Sequence, residues 1–188
     1  MACRSTSDPG ATALLYQYRP ILLGLLLLFA PLTWAQEPRT LDWPALIPEG
    51  APVIPPQLAP LHDLSQLSDA LSAESAPAAR QQAPDAPVVK ALDGQQVKLP
   101  GYIVPLEVSE EGRTTEFLLV PYYGACIHVP PPPSNQIVHI FSEMGVRIED
   151  LYQPYWIEGR MQVKASSSEL ADAGYLMEAE KIYAYELQ

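Results

Sequence analysis

The residue types that could do chemistry are concentrated in one proline-rich segment of this 188-residue sequence. Cys126 and His128 lie two positions apart, and His139 follows on the next predicted strand. In extended backbone, alternate side chains point to the same side, so the thiol and the imidazole are within reach of one metal ion. Thiolate and imidazole are ligands that zinc and copper favour. We therefore predict a transition-metal site formed by Cys126 and His128, with His139 as its third ligand.

Four consecutive prolines follow the Cys-x-His pair: Pro130, Pro131, Pro132 and Pro133. Such a run favours a polyproline II rod that rises about 3.1 Å per residue. A rigid rod loses little conformational entropy on binding, so it either fixes its neighbours or presents itself to an aromatic groove. Asn135 and Gln136 come next, and we expect their amides to support the metal ligands through hydrogen bonds.

A protein-interaction module that binds no metal is the first alternative. Cysteine is among the most buried residue types, so Cys126 is also consistent with plain packing. The proline rod (residues 130–133), Trp43 and Trp156 would then form an exposed surface that docks a partner protein.

A thiol-dependent enzyme is the second alternative, with Cys126 as nucleophile, His139 as base and Asn135 as the third group. No helix N-terminus or oxyanion-forming loop is evident beside Cys126. Dithiol exchange is disfavoured because the sequence contains no Cys-x-x-Cys motif. The sequence names no reaction and leaves open whether the protein is an enzyme, with a non-enzymatic role favoured.

The charge balance limits the class of partner. The sequence has 11 Lys and Arg against 22 Asp and Glu, a formal net charge of −11. Binding to nucleic acid needs a basic surface that neutralises phosphates, so we exclude nucleic-acid partners. The 21 prolines exclude a chain that is helical throughout.

Residues 1–35 are predicted to be a signal peptide. Basic residues precede an apolar run at 21–32, and Thr33 and Ala35 are the small residues that signal peptidase requires. The run is too short to span a membrane, which takes about 20 residues. We expect export to the periplasm, cleavage before Gln36 and no membrane anchor afterwards.

Cleavage of this leader would change the net charge and the cysteine count of the chain. The leader holds Cys3, Arg4, Asp8 and Arg19, so 9 basic and 21 acidic residues remain and the formal charge becomes −12. Cys126 is then the one remaining cysteine, and an internal disulfide is impossible. A single thiol in an oxidising compartment is buried, bound to metal or reactive.

Residues 36–87 are predicted to form a Pro/Ala-rich arm, since they hold 10 prolines and 10 alanines in 52 positions. This composition favours extended, solvated backbone. Residues 42–48 predict one helical turn with Trp43 and Leu46 on one face, which either docks on the following domain or stays solvated. Residues 61–79 predict a short amphipathic helix, because leucines recur every three or four positions.

From residue 88 onward the apolar period changes to two, which indicates strands. We expect a β-hairpin between residues 88–92 and 95–99 across the Asp93-Gly94 turn. The second strand continues to residue 108, with a bend around a barrel corner at Gly101.

A four-residue turn at 109–112 is predicted to lead into a strand at 113–120. Val104 would then face Phe117 across the ladder. One buried face is expected to contain Tyr102, Val104, Leu106, Phe117 and Leu119. The acidic residues near this turn, Glu116 among them, are interpreted as a solvated cluster.

The remaining chain is predicted to add strands at 137–141, 155–164 and 175–187. Ser166 and Glu169 have the spacing of a capping box, which predicts a short helix that ends at Gly174. The fold class is therefore mainly β: a small OB-like closed barrel of five or six strands with one short helix, over residues 88–188, preceded by the Pro/Ala-rich arm.

Four sequence blocks stand out beyond these patterns. They are Leu-Asp-Trp-Pro-Ala-Leu-Ile-Pro at 41–48, Leu-Pro-Gly-Tyr-Ile-Val-Pro-Leu-Glu at 99–107, Glu-Phe-Leu-Leu-Val-Pro-Tyr-Tyr-Gly-Ala-Cys-Ile-His-Val-Pro-Pro-Pro-Pro-Ser-Asn-Gln at 116–136 and Tyr-Trp-Ile-Glu-Gly at 155–159. Together these blocks resemble a group of exported bacterial proteins that is known only as a domain of unknown function. The resemblance covers nearly the whole chain after residue 35.

The resemblance implies an OB-like barrel in the periplasm. Relatives often occur beside an ABC transporter of the lipoprotein-release type and a histidine-rich metal-binding protein, so the implied partner is an envelope ABC transporter or a periplasmic metal-binding protein. We therefore expect an accessory protein that binds zinc or copper and serves metal homeostasis or envelope transport. No activity follows from the resemblance.

Overall fold

The computed structural model describes residues 37–55, 80–126, 129–149 and 152–186 of the chain. Residues 37–188 form one compact unit. The predicted signal peptide and the predicted helix at 61–79 lie outside the described residues. Within the described ranges, no helix is long and apolar enough to cross a membrane.

Strands dominate the described part of the chain. The strands are β1 (Arg39–Thr40), β2 (Gln96–Val108), β3 (Thr114–Val120), β4 (Val138–Val146), β5 (Tyr155–Gln162), β6 (Ser166–Ser167), β7 (Asp172–Ala173) and β8 (Tyr175–Ala184). Three 3₁₀ turns, at Trp43–Leu46, Lys90–Leu92 and Ser134–Gln136, are the helical elements of the described residues.

Five strands close into a barrel in the order β2-β3-β4-β8-β5, and β5 pairs back onto β2. The β4–β8 pair is parallel and the other four pairs are antiparallel. Strand β1 adds to β2 in parallel as an extra strand. The prediction of a mainly β, closed small barrel is confirmed.

Gly101 is the point at which β2 changes partners. Residues 96–101 of β2 pair with β5, and the residues from Tyr102 onward pair with β3. A Cβ atom on Gly101 would lie 2.8 Å from the carbonyl oxygen of Val120 and 2.9 Å from the Leu119 side chain. Only glycine permits this close approach, so the sequence places the barrel corner at the expected residue.

The interior of the barrel is filled by side chains. Its largest fully buried members come from all five barrel strands: Leu99, Phe117, Leu119, Ile140, Ile157, Met161, Tyr175 and Met177. Strand β5 shows the expected alternation, with Tyr155, Ile157, Gly159 and Met161 buried. Because the interior is packed, polar groups that bind a ligand must lie on the outside of the barrel.

The predicted register of β2 against β3 is wrong by one residue. Val104 pairs with Leu118 rather than Phe117, and Tyr102 pairs with Val120 rather than Leu119. Irregular pairing on both sides of Glu107 shifts the ladder. Phe117 and Leu119 therefore point into the barrel, whereas Tyr102, Val104 and Leu106 pack in a second cluster.

The predicted hairpin between 88–92 and 95–99 is also wrong. Residues Lys90–Leu92 form a 3₁₀ turn. The backbone N–H of Gly94 donates to the Met161 carbonyl at 2.8 Å, and that of Val163 donates to the Asp93 carboxylate at 2.9 Å. The Asp93-Gly94 turn is thus anchored to β5, and β2 takes β5 as its partner in place of residues 88–92.

The predicted short helix from Ser166 to Gly174 is replaced by the two-strand hairpin of β6 and β7. The Ser168 hydroxyl accepts hydrogen bonds from the N–H groups of Leu170 and Ala171, at 3.3 and 3.1 Å. A serine side chain that satisfies backbone donors locally competes with helix formation. The serine-rich sequence therefore makes a turn where its spacing predicted a helix cap.

The N-terminal turn at Trp43–Leu46 packs on the core. Leu46 is fully buried, and the Trp43 indole donates to the Pro100 carbonyl at 2.8 Å. The Leu46 carbonyl accepts a 2.7 Å hydrogen bond from the Tyr175 hydroxyl. Residues near the N-terminal end of the described unit are thus fastened to the wall of the barrel.

Candidate functional site

A second hydrophobic cluster lies on the outer side of β2 and β3. It joins barrel residues to residues of the loops after β3 and around β7: Val104, Leu118, Val120, Ala125, Ile137, Ala171 and Ala173. The chemistry-bearing side chains Cys126 and His139 belong to this outer region. The site therefore lies outside the barrel interior, with His139 on strand β4 and Cys126 in the loop after β3.

The loop that carries Cys126 is closed at its base. The N–H of Val129 donates to the Gly124 carbonyl at 3.2 Å, and Ala125 bridges to Val129. Cys126 has a φ of 66°, a left-handed conformation that is uncommon for a non-glycine residue. The expectation of extended backbone at Cys126 is therefore wrong, and His128 lies outside the described residues.

The Cys126 thiol is half-buried against the second cluster. Burial raises the pKa of this thiol from 9.0 to about 12, because the thiolate would lose its hydration. The group is therefore a neutral thiol at neutral pH. A nucleophilic cysteine needs a lowered pKa instead.

The groups proposed for a thiol enzyme have other hydrogen-bond partners. The Asn135 amide donates to the Pro87 carbonyl at 2.8 Å. His139 makes its hydrogen bonds to Glu116 and Ser166. Together with the raised pKa of Cys126, these contacts leave the thiol-enzyme alternative without support.

His139 is a buried histidine with a partner at each ring nitrogen. It is 4% exposed and lies opposite Leu118 in the β3–β4 ladder. Its Nε2 is 2.8 Å from Glu116 Oε1, and its Nδ1 is 2.9 Å from Ser166 Oγ. Its ring also packs on Phe141, with centroids 4.6 Å apart. The imidazole is thus fixed in orientation by three neighbours.

The described residues contain no group of three His, Cys, Asp or Glu side chains placed to hold a metal. The set of Cys126, His128 and His139 stays a prediction, because His128 is outside the described ranges. His139 could join it only by releasing Glu116 or Ser166.

The proline rod is covered by the chain itself. Pro131, Pro132 and Pro133 are buried, and Pro130 is half-buried. Two glutamines lie against it: the Gln81 amide donates to the Pro132 carbonyl at 3.0 Å and the Gln82 N–H to that of Pro131 at 3.4 Å. The rod therefore fixes neighbouring segments, and the expected exposed docking rod is wrong for these three prolines.

The other predicted binding residues also have partners within the chain. The Gln136 amide donates to the Trp43 carbonyl at 3.0 Å. Trp156 packs against the Tyr185 ring at 5.1 Å and the Lys98 ammonium at 4.4 Å. Gln136 thus ties the N-terminal turn to the barrel instead of supporting a metal ligand.

Glu116 and Ser166 are the functional candidates that sequence reasoning missed. The sequence pattern places Glu116 in a solvated cluster near a turn and Ser166 at a helix cap. They lie 23 positions before and 27 positions after His139, so no local spacing connects them. Ser166 lines a surface cleft of about 530 Å³, and Glu116 lines another of about 490 Å³.

The fold and the site define a small closed β-barrel protein with its polar groups on the outer wall. A family model described as a protein of unknown function, DUF3299, matches residues 43–184, so the chain belongs to the DUF3299 family. The expected membership of an uncharacterised family is confirmed at this level.

A solved structure supports the family assignment. The chain is similar to the crystal structure of a DUF3299 family protein from Pseudomonas aeruginosa PAO1 at 2.45 Å resolution. The two share 62% sequence identity with a TM-score of 0.70, and the match covers 81% of this chain and 99% of that one. No curated protein matches the chain.

Proposed function

We propose that this protein is an exported accessory protein of the bacterial envelope that binds a transition metal, zinc or copper, through Cys126 and His128. It would serve a metal-homeostasis or ABC-type transport system. The observation that carries the proposal is the closed loop between Gly124 and Val129, which holds the one cysteine left after leader removal.

Loop closure supports the pairing of the two donors. The Gly124–Val129 hydrogen bond joins the ends of a short loop in which one residue separates Cys126 from His128. Consecutive Cα atoms are about 3.8 Å apart, so the two Cα atoms lie within about 7.6 Å of each other. A thiolate and an imidazole at that separation suit Zn²⁺ or Cu⁺.

The protonation of Cys126 determines how metal binding depends on pH. Because its pKa is raised to about 12, the thiol keeps its proton when no metal is present. A metal ion must displace that proton, so binding would release one proton and strengthen as pH rises.

His139 is left out of the proposed ligand pair because Glu116 and Ser166 already hold both of its ring nitrogens. Water or a donor from a partner protein would complete the coordination. An incomplete set of protein ligands leaves an open position through which metal can be exchanged.

Location and partner follow from the leader and the resemblance. The basic, apolar and small-residue order of residues 1–35 supports export. Neighbouring ABC-transporter and histidine-rich proteins, implied by the resemblance, support a role in metal handling. The formal charge of −12 after cleavage favours accumulation of cations near the surface.

Titration of the mature protein (residues 36–188) with Zn²⁺ and Cu⁺ tests the proposal. One of the two metals should bind, and Cys126→Ser/His128→Ala should weaken binding by about 100-fold, since two donors are lost. His62→Ala is the matched control, because it removes a histidine outside the loop and should leave the affinity unchanged. Equal affinity of the wild type and the double variant would reject this site and favour an interaction module that binds no metal.

A further inference from the structure

We infer that Ser166, His139 and Glu116 form a second site, in which a serine hydroxyl is activated for acyl transfer from a small ester to water. This activity is separate from the metal function proposed above. It uses none of the residues of the Gly124–Val129 loop.

The partners of His139 determine which of its ring nitrogens carries the proton. Glu116 Oε1 is 2.8 Å from Nε2, and a carboxylate accepts a hydrogen bond at that distance. The ring proton therefore lies on Nε2, because an unprotonated nitrogen would face the carboxylate lone pairs. Nδ1 is then the basic nitrogen, and it accepts the hydroxyl proton of Ser166 at 2.9 Å. Nucleophile, base and orienting carboxylate are thus connected in the sequence of a serine-hydrolase triad, with the roles of the two ring nitrogens exchanged relative to Ser-His-Asp.

Two of the three side chains lie on barrel strands, and the third lies on the separate β6–β7 hairpin. His139 lies on β4, buried and packed on Phe141. Glu116 lies on the adjacent strand β3, directly opposite Phe141 in the ladder. Ser166 lies on β6, paired with Ala173. A site on strands keeps its geometry better than one on loops, so the relay is set before any substrate binds.

The nucleophile of the relay, Ser166, lines a surface cleft. The cleft has a volume of about 530 Å³, enough for a small ester. The wall of the cleft is apolar at Val88, Val163 and Ala165. It carries negative charge at Asp85 and Asp172. This lining suits a short acyl chain on a neutral or cationic alcohol and disfavours an anionic substrate.

The reaction balances with water as its only co-reactant. Ser166 Oγ forms a bond to the ester carbonyl carbon while its proton moves to His139 Nδ1. The bond from carbon to the alcohol oxygen breaks, and the alcohol leaves with the proton from Nδ1. Water then attacks the acyl-serine with His139 as base, which releases the acid and restores the Ser166 hydroxyl. Glu116 is a positioning residue that holds the imidazole and stabilises its positive charge.

A fluorophosphonate probe applied to the mature protein in EDTA tests the site without a contribution from bound metal. Ser166 Oγ should displace fluoride from phosphorus, and mass spectrometry should find the adduct on Ser166. Ser166→Ala should lose the adduct, whereas Ser167→Ala, which removes the neighbouring exposed hydroxyl, should keep it.

Glu116→Gln separates catalysis from mere packing, because it preserves shape at a partly exposed position. The labelling rate should fall by about 100-fold, and kcat for p-nitrophenyl acetate should fall with KM unchanged, while the urea midpoint stays within the error of the wild type. The inference is overturned by absence of a Ser166 adduct on the wild type, by an equal adduct on Ser167, or by wild-type labelling of Glu116→Gln.

Discussion

Replacing Gly159 with alanine is expected to destabilise the barrel by about 3 kcal/mol, the upper part of the range for added bulk in a packed core. A Cβ atom on Gly159 would lie 2.2 Å from the Glu178 carbonyl oxygen and 3.1 Å from Met177 Cγ. The nearest atom belongs to the backbone of β8, so no side-chain rotation relieves the clash. Gly159 also pairs with Val97 of β2, so both ladders that close the barrel would be strained.

Urea unfolding of the mature protein measures this effect, with Gly112→Ala as the matched control. Gly112 has a φ of +73° but nothing within 4 Å of its Cβ position, so alanine there costs about 1 kcal/mol through backbone strain alone. The midpoint should fall much further for Gly159→Ala, with similar m-values. Equal midpoints for the two variants would show that the β5–β8 contact is looser than described.

Tyr175→Phe is expected to cost about 3 kcal/mol although it removes one oxygen atom. The hydroxyl donates to the Leu46 carbonyl and accepts from the Val89 N–H, both at 2.7 Å, and Tyr175 is fully buried. Its loss leaves a half-buried donor and a buried acceptor unsatisfied, each worth about 1–3 kcal/mol. Burial also raises the pKa of Tyr175, so the hydroxyl keeps the proton that it donates.

The hydrogen bond from Tyr175 to Leu46 also predicts an effect of Tyr175→Phe on proteolysis. Loss of the Leu46 contact should loosen the N-terminal turn, so trypsin should cut after Arg39 faster than in the wild type. Tyr183→Phe is the control, because that hydroxyl lies on the exposed surface and donates to Glu158 at 2.6 Å. Its cost should stay below about 1 kcal/mol with trypsin cleavage unchanged. If the two variants behave alike, the Tyr175 hydroxyl does not hold the turn.

The strand pattern could be predicted where one face of a strand is buried and the other is not. In β5, buried Ile157 and Met161 alternate with half-exposed or exposed residues such as Glu158 and Arg160, so the period of two was informative. In β3 both faces are buried, since Phe117 points into the barrel and Leu118 into the outer cluster. Alternation then carries no register information, and a bulge can shift the pairing unseen.

The local elements that were predicted wrongly are determined by contacts with residues distant in the sequence. The Asp93-Gly94 turn had the sequence of a hairpin, but its hydrogen bonds go to Met161 and Val163 of the β5 segment. Ser166 had the spacing of a helix cap, yet its hydroxyl meets His139, 27 positions away. Tertiary contacts of this range leave no periodic signal in the sequence.

Only the rare residue types of the candidate site, cysteine and histidine, could be identified from the sequence. Cys126 stands out because it is the one cysteine after residue 35, and a Cys-x-His pair is visible from spacing. Glu116 and Ser166 are common residue types, and only the β3–β4 ladder and the β6–β7 hairpin bring them to His139. Burial of the proline rod likewise depends on Gln81 and Gln82, which belong to a segment predicted to be solvated.

Elemental analysis of the mature protein, purified from the periplasm without chelators, tests the metal proposal most directly. About one zinc or copper ion per chain is expected in the wild type and in His62→Ala. Cys126→Ser/His128→Ala, purified in the same way, should contain neither. The metal site is refuted if the folded wild-type protein carries neither metal, or if the double variant carries as much as the wild type.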